Sequence, residues 1–427
     1  MFSKIYKSSY KEIIKSDNFF SINFFSLIVA LLPVALITGP ALPDIFISLI
    51  GIYFIIISII KKLSKYYLNY FFYISFSFCL YLIVRSIFSD YPILSLTQGG
   101  SVFYFRYIFF SLAIWYLLEK SIYLHYFLII SVLICLIILS VDGFYQYMTG
   151  YNFLGYEKMG TWRLTGLFKD EPILGRYISF FSIFGYFLIV SKFNDNSKIH
   201  LLSWIILLAG FVITYLSGER VPLFYISFFI LVAFTISKIN QKLILFLSML
   251  FTVIIIIAIN LINPSSNQRI IDQTINQISN TTSKFMPYSK HHEEHYIGAL
   301  KMFSENPKFG IGTNLFRHKC NEPKFIYKRS CNTHPHNYYI QLLAENGIIG
   351  LSFLLFFYFF AVFIFLSRIY NDFFIERRNI YFNKTILLCI ILIIIWFPFV
   401  PHMSFYNNWY NVMLMLPIGF LLKELYG

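Results

Sequence analysis

Charge is what this sequence has least of. Asp, Glu, Lys and Arg together make up 13% of its residues, about half the share a water-soluble domain carries, while 58% are hydrophobic and 21% aromatic. That balance excludes an ordinary soluble domain. There is no D-x-D pair of the kind that holds a metal against a diphosphate, and only five cysteines. Alanine is sparse beside Ile, Phe, Tyr, Asn and Lys, the pattern that nucleotide bias in a genome produces, so the aromatic content carries no functional weight. No internal repeat, low-complexity tract or separate soluble domain stands out, and residues 1–427 read as a single membrane domain. The balance of 34 Lys and Arg against 20 Asp and Glu lies in short patches between apolar runs. Such patches suit anionic membrane lipids or phosphate substrates, not nucleic acid.

What is present is a series of apolar runs, such as Leu243 to Ile262 and Thr385 to Val400, long enough to cross hydrocarbon as helices. They predict an all-α polytopic membrane protein of about twelve spans: 19–38, 43–60, 66–84, 101–118, 122–141, 173–191, 200–216, 221–237, 243–262, 345–367, 385–400 and 409–422. The first run follows Lys4, Lys7, Lys11 and Lys15 and lacks a small-residue cleavage site, so it is expected to be a retained helix. With the N-terminus inside, seventeen Lys and Arg fall in inward segments (among them Lys61, Lys62, Lys65, Lys120, Lys238, Arg377 and Arg378). Only Arg85, Lys158, Arg163, Lys169 and Arg220 fall in short outward ones. The positive-inside bias therefore places both termini in the cytoplasm.

Two outward segments are long enough to hold chemistry, Asp142 to Pro172 and residues 263–336, the latter a large loop between the ninth and tenth spans. It opens with polar residues (Asn263 to Lys284), continues with a helix-like stretch from His291 to Phe303, and ends in a loop punctuated by Pro and Gly. Cys320 and Cys331 both lie in it. On the outward side of an envelope membrane, where conditions are oxidising, they are expected to pair. Cys79, Cys135 and Cys389 fall inside spans as small buried hydrophobes.

The most informative stretch is MFSENPKFGIGTNLFR, Met302 to Arg317, resuming as HPHNYYIQLLAENGIIGL from His334. Pro307 ends the preceding helix, and Gly310 and Gly312 permit a tight turn. Neither explains His334 and His336, two imidazoles where an outward loop meets the membrane. They are placed either to take a proton from a lipid-anchored substrate or to anchor the loop by hydrogen bonds.

The pattern F-x-x-N-P-x-x-G-I-G-x-N-x-F-R, Phe303 to Arg317, with H-N-x-Y-I-Q-x-L-A-E-x-G-I-I-G, His336 to Gly350, resembles the O-antigen ligase and polymerase family of bacterial envelopes. The resemblance implies a metal-independent, inverting glycosyltransferase of the inner membrane, active at the periplasmic face and needing no cofactor. It would move a glycan from undecaprenyl diphosphate to an acceptor hydroxyl. The acceptor is the lipid A core in a ligase of lipopolysaccharide biosynthesis, or a lipid-linked glycan repeat in a polymerase. It implies His336, just before Asn337, as general base with His334 in support, and Arg220 in LSGERVPL at the diphosphate. A second Arg is expected before the loop helix; this chain reads SKHHEEHY there, so His292 or His295 stands in its place.

A leaving diphosphate gathers negative charge, and stabilising it without a metal needs fixed cations in a poorly hydrated site. Arg163 and Arg176 in RLTGLFKDEPILGRYI join Arg220 as candidates, since an Arg at the edge of a span is costly unless paired or facing a cavity. Arg220 pairing with Glu219 or snorkelling to headgroups is the plainer alternative. Glu345, nine residues beyond His336, reads as a structural carboxylate. The run HHEEH, His291 to His295, fits an inverted zinc-protease spacing, but no further ligand is identifiable. A transporter of lipid-linked sugars would need ionisable residues deep in several spans, and most spans lack them.

Overall fold

The computed structural model describes residues 19–97, 100–193, 196–237, 241–279, 289–375 and 383–427. Lys4, Lys7, Lys11, Lys15, Lys238, Lys284, Arg377 and Arg378 lie outside them. Among the described residues the chain is helical with no strand, only two isolated bridges, Tyr151 with Glu157 and Met159 with Arg163. In order the helices are α1 (Phe19–Ala30), α2 (Leu32–Thr38), α3 (Ala41–Ile60), α4 (Tyr70–Ile87), α5 (Pro92–Thr97), α6 (Phe105–Lys120), α7 (Leu124–Thr149), α8 (Leu174–Lys192), α9 (Ser197–Leu216), α10 (Arg220–Thr235), α11 (Lys242–Ile262), α12 (Gln273–Ser279), α13 (Lys290–Glu305), α14 (Phe316–Lys319), α15 (Tyr338–Tyr370), α16 (Lys384–Ile395) and α17 (Asn408–Tyr426). Asparagine starts five of them: Asn69, Asn196, Asn337, Asn383 and Asn407 each accept a hydrogen bond from a first-turn N–H, which satisfies a donor that helix geometry leaves without a partner.

Among the described residues seven helices can cross a membrane by length and composition, or eight if α1 and α2, bent by 45°, form one span. The chain is thus a multi-pass membrane protein, with fewer clear crossings than the twelve expected. All twelve apolar runs contain helix, but α6, α10, α16 and α17 are shorter or less apolar. α10 and α16 fall short by length; burial accounts for α6 and α17. α17 and α6 pack on each other and are enclosed along most of their length, so neighbouring helices, not lipid, meet their side chains and polar residues are tolerated. α11 instead buries only Leu245 and Thr252 among its described residues and must be apolar almost throughout.

The bundle has two chemically distinct ends. At one, Lys65 pairs with Glu119 at 2.7 Å and Lys384 approaches Glu424 at 3.9 Å. At the other, the long loops gather on one another. Leu164 N–H donates to the Ser217 carbonyl at 3.2 Å, and His402 N–H donates to the His336 carbonyl at 2.8 Å. Gln146, near the end of α7, accepts from the N–H groups of Thr165 and Gly166 at 2.9 and 2.8 Å, stapling the loop that follows α7 to that helix.

The glycine-rich motif is a splice into α15. Gly347 interrupts that helix with φ 64°, leaving carbonyls and N–H groups without helical partners. The loop supplies them: Ile311 N–H donates to Ala344 O at 3.0 Å, Gly312 N–H to Glu345 O at 2.8 Å, and Ile348 N–H to Pro307 O at 2.9 Å. The approach is so close that a Cβ at Gly347 would lie 2.3 Å from Lys308 O, and one at Gly310 2.4 Å from Glu345 C. Glu345 accepts from Phe316 N–H at 2.9 Å, and Arg85 at the end of α4 donates to the carbonyls of Phe309 and Gly310 at 2.8 and 2.6 Å. These motif residues build the platform on which the histidines stand.

Candidate active site

Three segments bring five imidazoles together. Helix α13, started by the Ser289 hydroxyl accepting from His292 N–H, presents His291, His292 and His295. The segment entering α15 presents His334 and His336. Ring centroids lie 4.1 Å apart for His334 and His336, 5.4 Å for His295 and His336, 5.6 Å for His292 and His336, and 4.4 Å for His291 and His295. The third segment, residues 396–407, holds His336 from behind through the His402 N–H. His336 has φ 58°, a left-handed conformation that costs a non-glycine residue about 1 kcal/mol or more and that aims its ring into the cluster. Asn337 next to it is spent on structure. Its carbonyl accepts from Tyr339 and Ile340 N–H, and its amide donates to Pro398 and Val400 carbonyls, fixing where α15 begins.

Burial and crowding favour the neutral form of His292, His295, His334 and His336. Burial first, then His334, His292, His295 and His291, drive the His336 imidazole down to about 2. His292 falls to about 4 through burial, its neighbours His295 and His291, and then Arg163 and Arg220. Burial also brings His334 to about 4, against a hydrogen bond with the His402 backbone that raises it. A neutral imidazole is an acceptor of protons. Among the described residues no group of three His, Cys, Asp or Glu is arranged to hold a metal ion, and His291 and His295 face each other through their Nε2 atoms at 3.3 Å.

Beside the imidazoles lies a group of guanidiniums. Arg220, the first residue of α10, donates to Gln277 Oε1 at 2.5 Å and to the Arg269 carbonyl at 3.0 Å. Arg269 sits in a π-helical turn, Gln268–Asp272, and hydrogen-bonds Gln273. Burial pushes it down to about 10, with Arg163 and Arg220 adding to the repulsion. Arg176, near the start of α8, lies over the Tyr410 ring at 5.7 Å and acts on Glu219, His334 and His402. The Nε atoms of Arg176, Arg220 and Arg269 are buried and make no hydrogen bond among the described residues. Glu219 turns toward α8, accepting from Gly175 N–H at 2.6 Å. Its burial raises the carboxyl to about 7, against the pull of Arg176. The cations consequently outnumber nearby carboxylates.

The structure therefore brings His334, His336, His292 and His295 together and sets Arg163 and Arg220 within electrostatic reach of His292. Of the two histidines in the place of an expected arginine, His292 faces the guanidiniums. His295 faces the other way, its Nδ1 2.9 Å from the Ser330 carbonyl. Cys320 and Cys331 are joined by a disulfide with Cα atoms 4.9 Å apart.

Residues 204–355 match the family model described as O-antigen ligase. Over those residues the chain is similar to that family. No curated protein matches the chain. The matched O-antigen ligase segment holds Arg220, Arg269 and all five clustered histidines, while Arg163 and Arg176 come from outside it, so the site is assembled across its boundary. Sequence reasoning missed Arg269. The signal was the four-residue spacing of Arg269, Gln273 and Gln277, one polar stripe on a helical turn, within a segment otherwise read as a polar loop.

Proposed function

We propose that this protein is an O-antigen ligase-type glycosyltransferase of the bacterial inner membrane, moving a glycan from undecaprenyl diphosphate to a hydroxyl of the lipid A core at the periplasmic face. The twelve helical segments then correspond to twelve passes, three of them, α6, α16 and α17, sheltered by their neighbours. The observation that carries the reading is the contiguity of two unlike groups: the guanidiniums of Arg163 and Arg220 on one side of His292, with Arg220 Nε buried and without a partner among the described residues, and a neutral, crowded His336 on the other.

Arg220, Arg269 and Arg163 hold the diphosphate, an anion whose charge grows as it leaves, in a site where fixed cations cost no reorganisation. Arg176 stands at the head of a narrow cleft with apolar walls from Phe180, Ile183, Tyr225, Ile391 and Ile395. His336 takes the proton of the acceptor hydroxyl as its oxygen attacks the anomeric carbon. The bond from that carbon to the phosphate oxygen breaks, its electron pair leaves with undecaprenyl diphosphate, and attack opposite the leaving group inverts the centre. His334 and His292 line the approach, while Asn337 and His295 position the segment that carries the base. No step requires a metal ion.

The test uses purified protein in nanodiscs, a fluorescent undecaprenyl-diphosphate-linked oligosaccharide as donor and rough lipopolysaccharide as acceptor. Label should move to the lipopolysaccharide, EDTA should leave the rate unchanged, and His336→Ala and Arg220→Ala should abolish transfer while still accumulating in the membrane. Label that crosses the bilayer of proteoliposomes with no new glycosidic bond would mean a transporter. Label that joins only to a second donor molecule would mean a polymerase.

A further inference from the structure

The lone-pair side of His336 is already occupied. Asn332 Nδ2 lies 3.1 Å from His336 Nε2 and 3.4 Å from His295 Nε2. Its orientation is fixed, because its Oδ1 accepts the Thr333 N–H at 2.7 Å, so the amide must offer its N–H groups to the rings. Ser330 O, 2.9 Å from His295 Nδ1, can only accept. His295 therefore carries its proton on Nδ1 and presents a lone pair at Nε2. An amide N–H aimed at His336 Nε2 likewise demands a lone pair there, which puts the His336 proton on Nδ1. Ser330 and Asn332 flank Cys331, whose disulfide to Cys320 ties this short segment to the end of α14. Cys320 Sγ also lies 3.8 Å from the Asn332 carbonyl.

We propose that Asn332, held by the Cys320–Cys331 disulfide, is the positioning residue that fixes His336 with its lone pair on Nε2, and that an acceptor hydroxyl replaces the amide N–H at that lone pair. The assignment rests on His336 being the base. In the resting state Asn332 keeps the ring aimed and its tautomer set. When acceptor binds, the hydroxyl hydrogen takes the place of the amide hydrogen and passes to Nε2 as the new glycosidic bond forms. Without the disulfide, residues 330–332 lose the tether that sets the amide, and the base loses its aim; the disulfide belongs to a small core with Ala299, Met302, Phe316 and Ala344, separate from the main core of the bundle, which stays folded.

Groups that face His336 and bear on its titration are His291, His292 and His295 from α13, His334 from its own segment, and His402 through its backbone N–H. Behind these stand Arg163 and Arg220 beside His292, Arg176 and Arg317 beside His334, and Glu294 beside His295. No carboxylate among the described residues contacts His336, so an acid placed at residue 332 would be its nearest anion and would favour the imidazolium.

The experiment is steady-state transfer by the nanodisc-embedded protein with the same donor and rough lipopolysaccharide, measured from pH 4 to 9 on Asn332→Ala, on Asn332→Asp, and on wild type before and after reduction. Asn332→Ala should lower kcat roughly 10- to 100-fold, part of the ~10²–10⁴ a general base contributes, with donor KM unchanged. Asn332→Asp should move the acid limb of the profile toward neutrality. Reduction should lower kcat as Asn332→Ala does, and should have little further effect on that variant. Wild-type kcat and profile in Asn332→Ala, or full activity after reduction, would overturn the proposal. If His336→Ala is inactive while Asn332→Ala is normal, only the positioning role fails; if His336→Ala transfers normally, the base assignment itself is wrong.

Discussion

Replacing Arg269 by Gln separates a phosphate site from a structural one, because the two roles predict opposite signs for stability. In the ligand-free protein Arg269 is pushed down to about 10 by burial, and by Arg163 and Arg220, so as a cation it strains the fold. Repulsion between unit charges at a partly buried site is at most about 4 kcal/mol. Arg269 is only partly buried, and solvent screening reduces this to about 1 kcal/mol. Arg269→Gln should then raise the melting temperature of the free protein by about 1–2 °C. Its backbone carbonyl, which accepts from Arg220, survives the change. The donor diphosphate meanwhile loses a charge-assisted hydrogen bond of about 1.5–3 kcal/mol, a roughly 10- to 150-fold rise in donor KM. Differential scanning fluorimetry with and without inorganic pyrophosphate, alongside donor titration in the transfer assay, reads both. Pyrophosphate should stabilise wild type more than the variant. A variant that melts lower, keeps its donor KM and responds fully to pyrophosphate would refute the reasoning.

Because burial and neighbouring imidazoles hold His336 near 2 and His292 and His334 near 4, the acid limb of kcat/KM, which reports the free enzyme, should lie below pH 5; a limb near 6.5 would mean an unperturbed base. Glu219 is buried and raised to about 7. Folding therefore favours its neutral form, a contribution fully present below the unfolded value near 4.5 and lost as pH rises through 7. Glu219→Gln should stabilise the protein at pH 8, by roughly 1–3 kcal/mol, and leave it nearly unchanged at pH 4, as melting curves at the two pH values would show. Gly347→Ala forces a Cβ into a left-handed position 2.3 Å from the Lys308 carbonyl. It should cost roughly 2–4 kcal/mol and show as loss of the monodisperse peak in size-exclusion chromatography.

The helical class and the neighbourhood of the site were legible because they rest on local signals. Apolar runs marked the helices, Pro307 and the glycines marked the turn, and His334 and His336 stood where apolar chemistry has no use for them. The number of crossings was less legible: apolar runs marked all twelve segments, but α10 and α16 came out too short to count as clear spans, and α6 and α17 are enclosed helices that carry polar residues. Gly347 reads in sequence as one residue of a helix. Its break depends on a loop that begins about forty residues earlier and supplies the missing hydrogen bonds. Arg269 and Asn332 were missed for the same reason: each matters only through what folding places against it, Arg220 in one case and His336 in the other.

The central claim is that guanidiniums and imidazoles share one substrate. The most direct measurement is a cryo-electron microscopy map of the inactive His336→Ala protein trapped with its undecaprenyl-diphosphate-linked donor. Diphosphate density among Arg163, Arg220 and Arg269, with the first sugar turned toward residue 336, is the expected result. Density for the diphosphate elsewhere, or a sugar directed away from residue 336, would contradict it.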